Sequence, residues 1–196
     1  MTATFWSQAS SQAKRKFRFL VFWNGMPQFI AKSVTKPSFQ VGTTQHAFLN
    51  HNFNFPGRVT WQDVTLTLVD PINPDATYSF YRMLTDSGYQ LPPEVVKSGA
   101  VTPIGKKTIS KKSMVKQLQS MRIETLDEDG NTIEHWTLNN CQFTSVNFDQ
   151  LDYSSEELLN ITVTVKYDWA ELDKSAQGSK FNESEGWKIG EGSEPS

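Results

Sequence analysis

Apolar and polar residues alternate with period two along most of this chain, the pattern of strands that bury one face. Residues 14–24 alternate at Phe17, Phe19, Val21 and Trp23, then turn apolar on both faces at Leu20 and Phe22. They predict a first strand, buried at its far end. Asn24-Gly25 is a hairpin signal, so residues 28–35 are expected to return beside it. Over residues 36–57 the alternation is interrupted by Pro37, Gly42, two histidines and Asn50-His51-Asn52, which predicts a long hairpin or projecting loop. Its Phe39, Phe48, Phe53 and Phe55 either tuck onto the core or, left exposed, form a partner surface.

Residues 58–70 read as the spine of the core and carry a change of face. Val59 and Trp61 are apolar at odd positions, Val64, Leu66 and Leu68 at even ones, with Gln62 and Asp63 between. A parity change in a strand means a bulge or a corner between packed sheets. Its first half is expected to serve one core and its second half another face. A helix should then start with Asn73 as cap, Pro74 in the first turn and Asp75 against the dipole, present Ala76, Phe80, Met83 and Leu84 on one face, and stop at Gly88. Residues 90–116 read as an irregular connector ending in a basic run. Residues 118–126 and 131–148 pair across residues 127–130. With partners summing to 259, Met121 faces Leu138, Ile123 faces Trp136, Glu124 faces His135 and Leu126 faces Ile133. The second of these strands changes parity at Asn139-Asn140, a second corner. After an acidic turn over 149–157, residues 158–169 form the clearest strand, apolar at Ile161, Val163, Val165, Tyr167 and Trp169.

The fold class is mainly β: two packed antiparallel sheets, a sandwich or partial barrel, with one flanking helix. A length of 196 residues suits one domain, taken as 14–170, with an N-terminal arm over 1–13 and a flexible extension over 171–196. Charge is lopsided: residues 1–120 hold 14 Lys/Arg and 5 Asp/Glu, and the remainder, subtracting from totals of 19 and 21, holds 5 and 16. Such asymmetry suits either a basic face for nucleic acid or identical subunits packing basic surface on acidic surface. The lysine run of 106–116 has no interleaved aromatics, which argues against a nucleic-acid groove.

Catalytic chemistry finds little support. Cys141 is a lone cysteine in a strand context and reads as a buried structural thiol; His46 and His51 are spaced poorly for a metal, and His135 sits in a strand. Asp149, Asp152, Glu156 and Glu157 lack the order and turn glycine of a calcium loop. Phosphate-loop, dinucleotide and nucleophile-elbow motifs are missing, so neither enzyme nor cofactor is expected. No apolar run approaches a membrane span, and no membrane partner is expected.

Three segments in order, GRVTWQDVTLTLVD before a helix, KKSMVKQLQSMRIETLDEDGNTIEHWTLNNC, and TSVNFDQLDYSSEELLNITVTVKYDWA, resemble the tail tube protein family of phages with contractile tails. The resemblance covers roughly 14–170, and the closing Val-Thr-Val-Lys-Tyr-Asp-Trp is its most specific part. It implies a structural virion protein, assembled in the host cytoplasm, whose six-membered rings stack into the tube that conducts the genome. Its partners would be further copies of itself, the tail sheath, the baseplate, the tape-measure protein and DNA in transit. A tube initiator, the tube of an injection machine and, from another class, a monomeric ligand-binding sandwich are the alternatives. The family's inter-ring hairpin would fall on residues 36–57, making Phe39, Gln45, His46, Phe48, Asn50, His51 and Phe53 contact candidates. Gln62, Asn139 and Thr164 are expected in a lumen that is neutral to acidic, since lysines would hold phosphates. Lys106, Lys107, Lys111 and Lys112 are expected to meet Asp149, Asp152, Glu156 and Glu157 of an adjacent subunit.

Overall fold

The computed structural model describes residues 13–90 and 108–173. Two four-stranded antiparallel sheets face each other. The first runs in the order β1 (Phe19–Trp23), β6 (Met121–Leu126), β7 (Thr132–Asn139), β10 (Trp169–Asp173). The second runs β2 (Ala31–Val34), β5 (Val64–Val69), β9 (Asn160–Lys166), β8 (Gln142–Phe148). The core lies between them: Val21, Trp23, Met121, Ile123 and Leu138 from one side meet Val64, Leu66, Leu68, Ile161, Val163 and Val165 from the other, all buried. Alternation dictated this packing, because every second residue of β5 and β9 is apolar and the intervening ones, Val69 at the end of β5 excepted, are polar.

β1 and β2 do not form the expected hairpin. The turn at Asn24-Gly25 exists, with both residues at positive φ and Met26 N–H donating to the Trp23 carbonyl at 2.8 Å. Pro27 and a 3-10 turn at Gln28–Ile30 then break the return register, and the Gln28 side chain accepts from Val21 N–H at 3.0 Å. β2 is thereby delivered to the second sheet, where Ala31 and Val34 sit opposite Leu68 and Leu66.

Corners are the organising device. The change of parity in 58–70 is a full break at Gln62-Asp63, ending β4 (His51–Trp61) and starting β5. The break at Asn140-Cys141, with Asn140 at φ 57°, carries the chain from β7 in the first sheet to β8 in the second. A third corner was not legible: residues 158–169 are not one strand, because the chain leaves the second sheet after Lys166 and re-enters the first at Trp169. β10 runs on through Asp173, past the expected boundary at 170, while 1–12 and 174–196 lie outside the described residues. The β6/β7 register follows the sum of 259 from Met121 to Thr125, then slips by one at a bulge, so Leu126 faces Thr132 and not Ile133.

Helix α1 (Ala76–Asp86) buries Ala76 and Phe80 as expected, but its cap is Asp75, which accepts from Tyr78 N–H at 2.8 Å. Asn73 and Pro74 lie in the turn before it, and Asp70 accepts from the hydroxyl of Thr77 and the N–H of Ala76. Gly88 does end the helix, at φ 111°, where a Cβ would stand 2.6 Å from the Thr108 carbonyl oxygen. A second helix was missed. α2 (Lys111–Leu118) forms from half of the basic run, capped by Ser110, with Met114 and Leu118 buried and the Leu118 carbonyl accepting from the Trp23 indole at 3.1 Å.

Candidate assembly surfaces

The segment 36–57 becomes a two-stranded hairpin of β3 (Phe39–Phe48) and β4, separate from both sheets. The tucked arrangement of its aromatics is ruled out, since Phe39, Phe48, Phe53 and Phe55 are 59%, 61%, 50% and 56% exposed. At its base, Phe39 packs edge-on against Trp61, and Trp61 against Tyr167 at the end of β9, with ring centroids 5.6 and 5.9 Å apart. The hairpin is therefore anchored at one end and bare beyond it.

One extra residue in β4 splits this surface in two. Val41 faces Val59 and Thr43 faces Pro56, so β4 fits both Gly57 and Arg58 against Gly42. A Cβ at Gly57 would lie 3.1 Å from the Gly42 carbonyl oxygen, so glycine permits the close approach. β3 alternates without interruption, which places Phe39 and Val41 on one face of the ribbon and His46 and Phe48 on the other. Cross-strand partners then put Val59 and Trp61 with the first pair, and His51, Phe53 and Phe55 with the second. Gln45 falls on the face opposite the tip phenylalanines, and Asn50 in the turn. From Pro37 to Gly57 the chain has no Asp, Glu, Lys or Arg, which is unusual for a bare surface and ordinary for a buried one.

The expected lumen residues do not share a face. Thr164 stands on the outward side of the second sheet in a row with Thr65, Thr67 and Thr162, where Thr65 faces Thr164 and Thr67 faces Thr162. Asn139 belongs to the first sheet, donating to Glu171 at 3.2 Å, and Gln62 lies in the corner between β4 and β5. Of the expected ion-pair set, Lys106 and Lys107 lie outside the described residues. Lys111 donates to Asp168 of its own chain at 2.6 and 2.8 Å; with Asn140 it holds that carboxyl below the usual carboxylate range and locks two corners together. Lys112 is exposed on α2, near the start of β8, whereas Asp149, Asp152, Glu156 and Glu157 are exposed beyond its end. Asp149 and Asp152 are held as anions, the former chiefly by Gln150 N–H and the latter by Ser154 N–H.

A second feature escaped the sequence. Between β1 and β2, the edge strands of the two sheets, lies a cleft of about 800 Å³ lined by Lys14, Arg15, Lys16, Arg18, Lys32 and Lys36. Lys14 and Lys36 both donate to Glu134, which also accepts from the Trp136 indole. Burial works against ionisation of Glu134, but these donors prevail and lower its pKa to about 2. A native pKa below the unfolded value stabilises the fold fully above about pH 4.5 and ceases to do so as pH falls toward 2. Glu134→Gln is therefore expected to lower stability by about 2 kcal/mol at pH 7 in urea titrations, with the difference from the parent fading between pH 4.5 and 2. A difference undiminished at pH 2 would contradict the clamp.

Cys141 is buried, donates to the Leu138 carbonyl at 3.4 Å and has its thiol pushed up to about 11 by burial, so its environment is that of a structural residue. Among the described residues no group of three His, Cys, Asp or Glu is placed to hold a metal, and none of the helices is long and apolar enough to cross a membrane.

A family model described as T4-like virus tail tube protein gp19 matches residues 15–171. No curated protein sequence matches the chain. The fold is shared with chains of solved contractile assemblies. One, from an extracellular contractile injection system described as PVC sheath/tube terminator, has a TM-score of 0.60 at 15% identity, covering 84% of this chain and 99% of that one. A chain of the anti-feeding prophage baseplate has a TM-score of 0.59 at 18% identity, covering 83% and 97%. One of the anti-feeding prophage cap has a TM-score of 0.59 at 18% identity, covering 89% and 100%.

Proposed function

The chain belongs to the T4-like virus tail tube protein gp19 family, and on that premise we propose that its copies close into six-membered rings that stack into a hollow tube for genome passage. The observation that carries this reading is the β3/β4 hairpin, a ribbon without Asp, Glu, Lys or Arg from Pro37 to Gly57 and with exposed apolar residues on both faces. β3 follows β2 and β4 leads into β5, so the hairpin prolongs the second sheet beyond its end. With strands running up the tube wall, it reaches the next ring.

Ring closure gives the free strand edges their partners. In the second sheet the edges are β2 and β8, and joining β8 of one copy to the β2 edge of the next, as β3 prolongs it, continues the antiparallel order into a barrel without edges. The outward face of that sheet would then line the bore, with Thr65, Thr67, Thr162 and Thr164 at its centre. Short neutral hydroxyls suit a conduit for DNA, because they offer no cation to hold each passing phosphate. Of the three expected lumen residues this reading keeps Thr164. Sheath protein outside, baseplate and tape-measure proteins at the ends and within, and DNA in transit are the partners it implies, and the subunit's role is structural. Concentrating the purified chain is expected to yield rings and hollow rods in negative-stain micrographs; a monomer at every concentration would contradict it.

A further inference from the structure

The two charged features that assembly leaves open lie on opposite edges of the subunit. At the β8 edge, the loop after Phe148 carries Asp149, Asp152, Glu156 and Glu157, together with Leu151, Tyr153 and Leu158, which are among the most exposed large residues in the protein. At the β2 edge is the basic cleft. Lys14 and Lys36 are paired with Glu134, Arg18 lies 3.6 Å from Glu128, and Lys32 reaches Asn160. Arg15 and Lys16 line the same cleft with no acidic partner among the described residues, beside exposed Phe17. An acidic loop with apolar knobs and a basic cleft with an apolar floor are complementary, and within one chain their approach runs through Asn160, which Lys32 and Asp149 share, at the end of the cleft away from Arg15 and Lys16.

We propose that the loop 149–158 of one copy seats in the basic cleft between β1 and β2 of the next copy around the ring. This rests on the tube reading and assigns its lateral contact. Unlike patches meeting on opposite edges make a heterologous interface, the kind that closes into rings. The offset along the strands fits in magnitude. Ala31, Leu68, Ile161 and Phe148 form one row across the sheet, and the free cations lie near the Lys36 end of β2, since Lys14 and Lys36 share Glu134. Loop and cleft are therefore offset by about five residues, roughly 16 Å. A sheet of four strands about 4.8 Å apart, tilted by about 40° in a barrel, carries an offset of about 16 Å from one copy to the next. Lys112, at the other end of β8, is left for a contact between stacked rings.

A charge swap tests this on the full chain. One variant carries Asp152→Lys, Glu156→Lys and Glu157→Lys; the other carries Arg15→Glu and Lys16→Glu. All five side chains are exposed, and circular dichroism is expected to match the parent. Each variant alone is expected to lose at least ten-fold in pelletable polymer at low salt, because loop and cleft then carry like charge. The equimolar mixture is expected to recover it, since an even-membered ring alternates the two. Either variant polymerising like the parent, or a mixture of folded variants that fails to recover, overturns the inference. A parent that forms no ring overturns the tube reading as well, whereas a parent and variants that assemble alike overturn this contact alone.

Discussion

Serine at Phe48, Phe53 and Phe55 together is expected to abolish rod growth while leaving the subunit folded. The three rings lie on one face of the hairpin tip and are each about half exposed, so they contribute little to the isolated fold and retain much area to bury. Completing that burial is worth roughly 1 kcal/mol per ring, about 3 kcal/mol per hairpin, or somewhat over a hundred-fold in each contact. Repeated around a ring, that loss takes the tube below its threshold for growth. The thermal midpoint of the monomer should move by only a few degrees, as for other surface substitutions. Pelleting assays and calorimetry on the same sample check both halves. Rods that persist, or a subunit that melts much earlier, would contradict the assignment of these rings to a contact between copies.

Leu66→Ala is expected to have the reverse signature. Leu66 is fully buried at the middle of β5, opposite Val34 on one side and Val163 on the other. Truncating it removes apolar contacts and leaves a cavity that two facing sheets cannot collapse, a cost of about 2–5 kcal/mol. The urea midpoint of the monomer should fall accordingly, and assembly should fail only as the folded population falls. An unchanged midpoint would mean that the sheets do not pack on each other through this row.

These contrasting sites mark what the sequence discloses. Alternation at Val64, Leu66 and Leu68 and at Ile161, Val163 and Val165 located both central strands of the second sheet, because a half-buried strand has to separate its faces. Parity changes at Gln62-Asp63 and Asn139-Asn140 located two corners for the same reason. The third, at Tyr167-Asp168, left no parity change, since Trp169 continues the odd series, and periodicity is blind to it. Parity fails in the hairpin as well. Phe53, Phe55, Val59 and Trp61 are all odd-numbered and suggest one apolar face, but the extra residue at Gly57-Arg58 moves half of them to the other. α2 was hidden because Met114 and Leu118 are its only buried positions within a basic run. The cleft was hidden because its walls, residues 14–19 and 31–36, are edges of different sheets, which periodicity does not bring together.

The most direct test of the account is a reconstruction by electron cryo-microscopy of rods grown from the concentrated chain. It should show stacked six-membered rings, the Thr65, Thr67, Thr162 and Thr164 face on the bore, and each β3/β4 hairpin lying on the adjacent ring. Rods with the first sheet or a ring of lysines on the bore, or hairpins folded back on their own sandwich, would contradict it.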